Sequence, residues 1–114
     1  MAATGRRGVR PERLILSGEI WTVVPLQHTK PRPALVLSAD AWNRYAPDVV
    51  LIPLTTRPGP SRPTVRGKGL RKASYAKCGA ISAIPRERLG KRIGLADADS
   101  MAAVAAEVRR LLAI

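Results

Sequence analysis

The sequence predicts a mainly β domain with one C-terminal helix, bent into a small barrel. Short β-branched and apolar runs recur along the chain, separated by loops rich in proline and glycine. The hydrophobic period then changes once, near residue 101, from a strand pattern to a helical one. The 114 residues, 46% apolar and 25% charged, are the size and composition of one folded domain with a modest core.

The elements follow in order. Residues 1–13 read as a flexible basic arm, with Arg6, Arg7, Arg10 and Arg13 and no periodicity. Residues 14–114 then form a single barrel domain. Glu19 to Val24 is β-branched and aromatic, a strand by propensity. Pro25, Pro31 and Pro33 make the next segment a loop, because proline removes ladder donors. Ala34 to Ser38 and Val49 to Leu54 are nearly continuous apolar runs, as central strands are. Between them, Asp40 to Pro47 fits one helical turn stopped by the proline. Thr55 to Pro63 is a second Pro/Gly-rich loop. Thr64 to Arg66 and Ser74 to Ala83 read as shorter strands, and Ile84 to Leu89 as a short helix. Met101, Val104, Val108, Leu111 and Leu112 recur at three- and four-residue steps, one helical stripe. Asp97 is placed to cap that helix, with Asp99 in its first turn and Arg109 and Arg110 in its last. The total is about five short strands and a terminal helix.

The net charge of +12 is unevenly placed. Residues 57–92 hold eleven Lys and Arg against Glu87 alone, so most of the excess lies inside the domain. Charge concentrated this way costs self-repulsion and points to a polyanionic partner, of which nucleic acid is the commonest. With only Trp21, Trp42, Tyr45 and Tyr75 as aromatics, the chain lacks the ring platform of an RRM or a single-strand-binding OB face. Cys78 has no cysteine partner, and one cysteine with one histidine cannot build a Cys/His zinc site within one chain. No cofactor is expected. The longest apolar runs are too short to span a bilayer and no secretory h-region follows the basic N-terminus, so a reducing cytoplasm is the expected compartment.

The order of motifs resembles the MazF/PemK toxins of type II toxin–antitoxin systems. Gly18-Glu19-Ile20-Trp21 is similar to that family's opening strand, and Arg32-Pro33-Ala34-Leu35-Val36-Leu37-Ser38 to its second strand with the arginine before it. Pro53-Leu54-Thr55-Thr56 resembles the end of its third strand. Gly69-Leu70, Ser74 and Cys78 fall where the family has a strand ending in a cysteine motif, and Arg88-Leu89-Gly90 with the terminal helix completes the order. The resemblance covers about residues 17–114. It implies an SH3-like barrel, a homodimer, cleavage of single-stranded RNA without metal, and a cognate antitoxin with an acidic, apolar-anchored segment.

RNA supplies its own nucleophile, the 2′-hydroxyl, so such an enzyme needs only to position the backbone, move protons and stabilise charge on phosphorus. The resemblance places Arg32 in the active site, where its planar guanidinium matches phosphate oxygens. Arginine is too basic to accept a proton, so its role is charge stabilisation. Thr55 offers a hydroxyl to a phosphate oxygen. Thr56, Arg57 and Lys77 are the expected RNA contacts downstream, and Gln27 and Lys30 those of the first loop. Two carboxylates common in relatives have no counterpart: the first loop is shorter, and Gly79 and Ala80 follow Cys78. His28, the one side chain whose ordinary pKa lies near neutrality, is therefore read as the proton acceptor. Cys78, with no base near it in sequence, is read as a small buried strand residue. The competing readings are a non-catalytic nucleic-acid-binding barrel and a gyrase-poisoning toxin on the related CcdB fold. The Arg32-Pro33 and Thr55-Thr56 pairs favour the ribonuclease over the gyrase poison, and incubation with RNA in EDTA separates it from the non-catalytic barrel.

Overall fold

The computed structural model describes residues 14–24 and 30–114. The basic arm predicted over residues 1–13 lies outside them. Among the described residues there are eight strands: β1 (Glu19–Val23), β2 (Arg32–Val36), β3 (Asp48–Thr55), β4 (Thr64–Val65), β5 (Gly67–Lys68), β6 (Ser74–Ala76), β7 (Ser82–Pro85) and β8 (Leu89–Ala96). Helix α1 (Asp40–Tyr45) joins β2 to β3, and α2 (Ala98–Leu112) ends the fold.

The strands make one antiparallel sheet in the order β4-β6-β3-β2-β1-β8-β5, with β7 on the first half of β3. Its two ends, β4 and β5, are separated in the chain by Arg66 alone, so the sheet curls into a nearly closed barrel. Helix α2 clasps this junction. The Arg66 N–H donates to Ser100 Oγ at 2.8 Å, and the Asp97 N–H donates to the Arg66 carbonyl at 2.8 Å. Glycine is required beside it: a Cβ on Gly67 would sit 2.0 Å from the Leu95 carbonyl oxygen, and one on Gly69 2.1 Å from that of Ile93.

Alternation along the strands divides the apolar residues between the two faces of the sheet. Ile20, Leu35, Ile52, Leu54, Val65 and Ala76 pack with Cys78, Ala96 and the fully buried Val104 of α2. Trp21, Val23, Ala34, Val36, Val49 and Leu51 pack with Ile15 and Leu89 on the other face, where Ile84 of β7 covers them. Burying a side chain of this size contributes about 1.5–3 kcal/mol, so two clusters account for a stable sheet of modest length.

The mainly β class, the bent sheet and the terminal helix are as expected, and Asp97 caps α2 by accepting from the Ser100 N–H at 2.8 Å. The apolar stripe of α2 holds for Met101, Val104 and Val108, but Leu111 and Leu112 leave the core and are exposed. The strands number eight among the described residues rather than about five, and three further element expectations need correction. Ile84 to Leu89 is not a helix: Ile84 pairs with Val49 in β7, Arg86–Arg88 is a single 3-10 turn, and Leu89 opens β8. The eight-residue β8, with two glycines and two basic residues, has little strand propensity of its own. Its pairing along β1 makes it a strand. Ser74 to Ala83 is not continuous either, because a 3-10 turn at Cys78–Ala80 separates β6 from β7. Cys78 is buried, as expected, but begins that turn rather than lying in a strand. Burial, with a smaller contribution from the Glu107 carboxylate, raises the pKa of its thiol.

Candidate active site

The site lies where β2 begins and β3 ends. The antiparallel ladder between β2 and β3 ends with Ala34 paired to Pro53, and just beyond it Arg32 and Thr55 line one hollow. On their other sides Thr55 pairs with Tyr75 of β6, and Arg32 with Val23 of β1. The sheet therefore brings together residues far apart in sequence. Arg32, Pro33, Leu54, Thr55, Thr56, Arg57 and Ser74 line a hollow of about 350 Å3.

Local chemistry fixes its shape. Pro53 lacks the N–H that a central strand normally uses, yet its carbonyl still accepts from the Lys77 N–H at 2.9 Å. In an antiparallel ladder the N–H and C=O of one residue point to the same side. The missing donor thus faces Lys77, where β6 has ended and the chain turns at Cys78. After Thr55 the strand cannot continue through Pro58, Gly59 and Pro60, and the Arg57 N–H folds back to donate to Thr55 Oγ1 at 3.2 Å. That bond uses the hydroxyl oxygen as acceptor and leaves its proton to be donated into the hollow.

The electrostatics are one-sided. Arg32 and Arg57 are exposed, and among the described residues neither guanidinium forms an ion pair with a carboxylate. Among the described residues no carboxylate lines the hollow. Glu19, the buried carboxylate nearest in motif, is committed elsewhere: it accepts from the Leu16 N–H at 2.9 Å, from Trp21 Nε1 at 3.0 Å and from Arg92 Nη1 at 3.1 Å. Such an arrangement suits an anion with several oxygens, since two cations and three hydroxyl side chains converge without an acid among the described lining residues to neutralise them. Among the described residues no three His, Cys, Asp or Glu side chains come together in a way that could hold a metal ion.

Four of the sequence-predicted residues thus share one hollow: Arg32, Thr55, Thr56 and Arg57. Lys30 is exposed two residues before Arg32. Lys77 is half-buried beside Pro53 and is not part of the lining. Gln27 and His28 lie outside the described residues. Sequence reasoning did not single out Ser74 as a site residue, although it belongs to a motif. It opens β6 and reaches the hollow because β6 runs beside β3.

The curled antiparallel sheet with its terminal helix is shared with several solved toxin structures. An endoribonuclease in complex with its cognate antitoxin from a mycobacterial species superposes with a TM-score of 0.75 at 23% identity, over 89% of this chain and 95% of that one. The Mycobacterium tuberculosis toxin MazF-mt6 gives 0.72 at 24% identity, over 84% and 97%. A MazE–MazF structure from Deinococcus radiodurans gives 0.77 at 23% identity, over 90% and 99%. No curated protein matches the sequence. The family model of the PemK-like, MazF-like toxins of type II toxin–antitoxin systems matches residues 16–112, and the chain belongs to that family.

Proposed function

We propose that the protein is an endoribonuclease toxin that cleaves single-stranded RNA through the substrate's own 2′-hydroxyl, without a metal ion. The 2′-hydroxyl gives up its proton and its oxygen attacks phosphorus. The bond to the 5′-oxygen breaks, and that oxygen takes up a proton. The products are a 2′,3′-cyclic phosphate and a 5′-hydroxyl. The observation that carries this reading is the convergence of Arg32 and Arg57 with the Thr55 and Thr56 hydroxyls on one hollow that, among the described residues, has no acid in its lining. Arg32 stabilises the charge that develops on the phosphorane, Thr55 donates to a phosphate oxygen, and Thr56, Arg57 and Lys30 hold neighbouring phosphates. Gln27 of the first loop and Lys77 beyond the hollow extend the RNA contacts. His28, four positions before Arg32, accepts the 2′-hydroxyl proton in this reading.

Two partners belong to the same proposal. The exposed Ile93 and Leu95 of β8 and Leu111, Leu112 and Ile114 at the end of α2 favour a homodimer that covers them. The basic surface favours an antitoxin with an acidic segment anchored by apolar residues, the charge setting association rate and the anchors the lifetime. Incubation of purified protein with single-stranded RNA in EDTA tests the activity. Fragments ending in a cyclic phosphate are expected. RNA left intact, or cut only after divalent metal is added, overturns the proposal.

A further inference from the structure

The loop carrying Arg57 is held from behind. Its backbone is clamped on both sides: the Arg57 N–H donates to Thr55 Oγ1, and the Arg57 carbonyl accepts from Arg62 Nη1 at 3.0 Å. The half-buried Arg62 side chain crosses Gly59, where an added Cβ would stand 3.2 Å from Arg62 Cδ, so the glycine leaves room for the crossing. Pro58, Pro60 and Pro63 limit the loop's other conformations. Its far end is tied to β6 by the Ala76 N–H, which donates to the Pro63 carbonyl at 3.0 Å. Its tip is tied to α2. Ser61, in the left-handed region at φ 57°, accepts from Arg110 Nη2 at 3.1 Å, and Arg110 pairs with Glu107 one helical turn earlier.

We infer that Arg62 is a positioning residue for the RNA site, holding Arg57 against the hollow, with Ser61 and Arg110 latching the same loop to the C-terminal helix. The inference rests on the ribonuclease reading for its effect on cleavage, but not for the clamp itself. An eight-residue loop from Thr56 to Pro63 would otherwise leave the Arg57 guanidinium free to sample many positions, and misplacement of about 1 Å can cost about 100-fold in rate. Both ties are exposed charge-assisted bonds, but Arg62 holds the Arg57 backbone itself, whereas Arg110 reaches only Ser61 at the tip of the loop. The two ties therefore differ in their expected effect on Arg57.

The clamp is tested by amide exchange without RNA, and its role by a double-mutant cycle with RNA. Arg62→Ala should speed exchange of the Arg57 amide by about tenfold, the scale of losing one hydrogen bond to a charged group. It should lower kcat/KM for RNA by about tenfold, and the Arg57→Ala/Arg62→Ala double variant should be no slower than Arg57→Ala alone. Arg110→Ala should give the same pattern at about twofold. Unchanged exchange in Arg62→Ala overturns the clamp. Multiplicative losses in the double variant overturn the positioning role, because Arg62 would then act on RNA by itself. A wild-type protein that leaves RNA uncut removes the proposed function, while the exchange rates still decide whether Arg62 orders the loop.

Discussion

The two ends of β3 carry arginines in opposite circumstances. At the Asp48 end, Arg86 Nη1 donates to the carbonyls of Asn43 at 2.6 Å and Ala46 at 3.0 Å, closing the C-terminus of α1. The buried Asn43 and Ser38 complete a polar network that fixes that helix on the sheet. At the Thr55 end, Arg32 and Arg57 face an open hollow and, among the described residues, pair with no carboxylate. The side chain is the same, and so is the strand. What differs is whether nearby carbonyls and acids already engage the guanidinium. In a chain of net charge +12, composition therefore marks no candidate site; the absence of local partners among the described residues does.

The sharpest way to break this contrast is to remove one arginine from each end. Arg32→Ala should lower RNA cleavage by about 100- to 1,000-fold, the scale of removing one charge-stabilising donor. Its thermal midpoint should stay close to wild type, since exposed positions usually shift stability by about 0.5 kcal/mol or less. Arg86→Ala should do the reverse. It orphans two carbonyls and should destabilise the fold by about 1–3 kcal/mol, while the folded fraction cleaves RNA within about twofold of wild type. Chemical denaturation and cleavage assays on both variants decide the matter. Equal loss of activity in the two would erase the distinction.

A smaller but more informative loss is expected from His28→Ala. If this imidazole is the proton acceptor, wild-type cleavage rises with pH through the neutral region and levels off. The variant should lose about 100-fold in rate and the rise with it, since a well-placed base is typically worth at least that much. A variant with the wild-type pH profile and less than about threefold loss would leave catalysis to Arg32 and Thr55 alone.

The smallest effect concerns the cap of α2. Hydrogen bonds from the Ser100 side chain and N–H hold the Asp97 carboxyl below its ordinary pKa. Bonds from Arg110 and Ser61 do the same for Glu107. A carboxyl whose pKa is lowered by folding adds stability above its unfolded value, near pH 4, and that stability is lost as pH falls through the lower, folded value. Asp97→Ala should therefore lower the melting temperature by a few degrees at pH 7, and the gap should narrow as the medium is acidified below pH 4. A gap independent of pH would show that the capping carboxylate is not the group responsible.

Much of the fold was legible before any coordinates. The apolar runs at Leu35 and Ile52, the proline stops and the α2 stripe are local signals, and local signals survive translation into structure. β8 was not legible, because Gly90, Lys91, Arg92 and Gly94 carry no strand preference and only the neighbouring β1 makes that segment extended. The break at Cys78–Ala80 was missed for a related reason: it falls where β6 leaves Pro53 of the neighbouring strand, a contact invisible along the chain.

By itself, the sequence determined a mainly β class, a basic interior segment and the order of motifs that names the family. It also determined which side chains could stabilise phosphate charge, because guanidinium and hydroxyl chemistry belongs to the residue and not to its surroundings. Tertiary structure decided which of those groups lie together. Arg32 and Thr55 are separated by more than twenty residues, and the pairing of β2 with β3 brings both to one hollow. Ser74 joins them by the pairing of β6 with β3, and Arg62 reaches Arg57 through the fold of one proline-bound loop. Register and loop closure are long-range properties, set by which faces of the sheet are buried, and no short stretch of the chain encodes them.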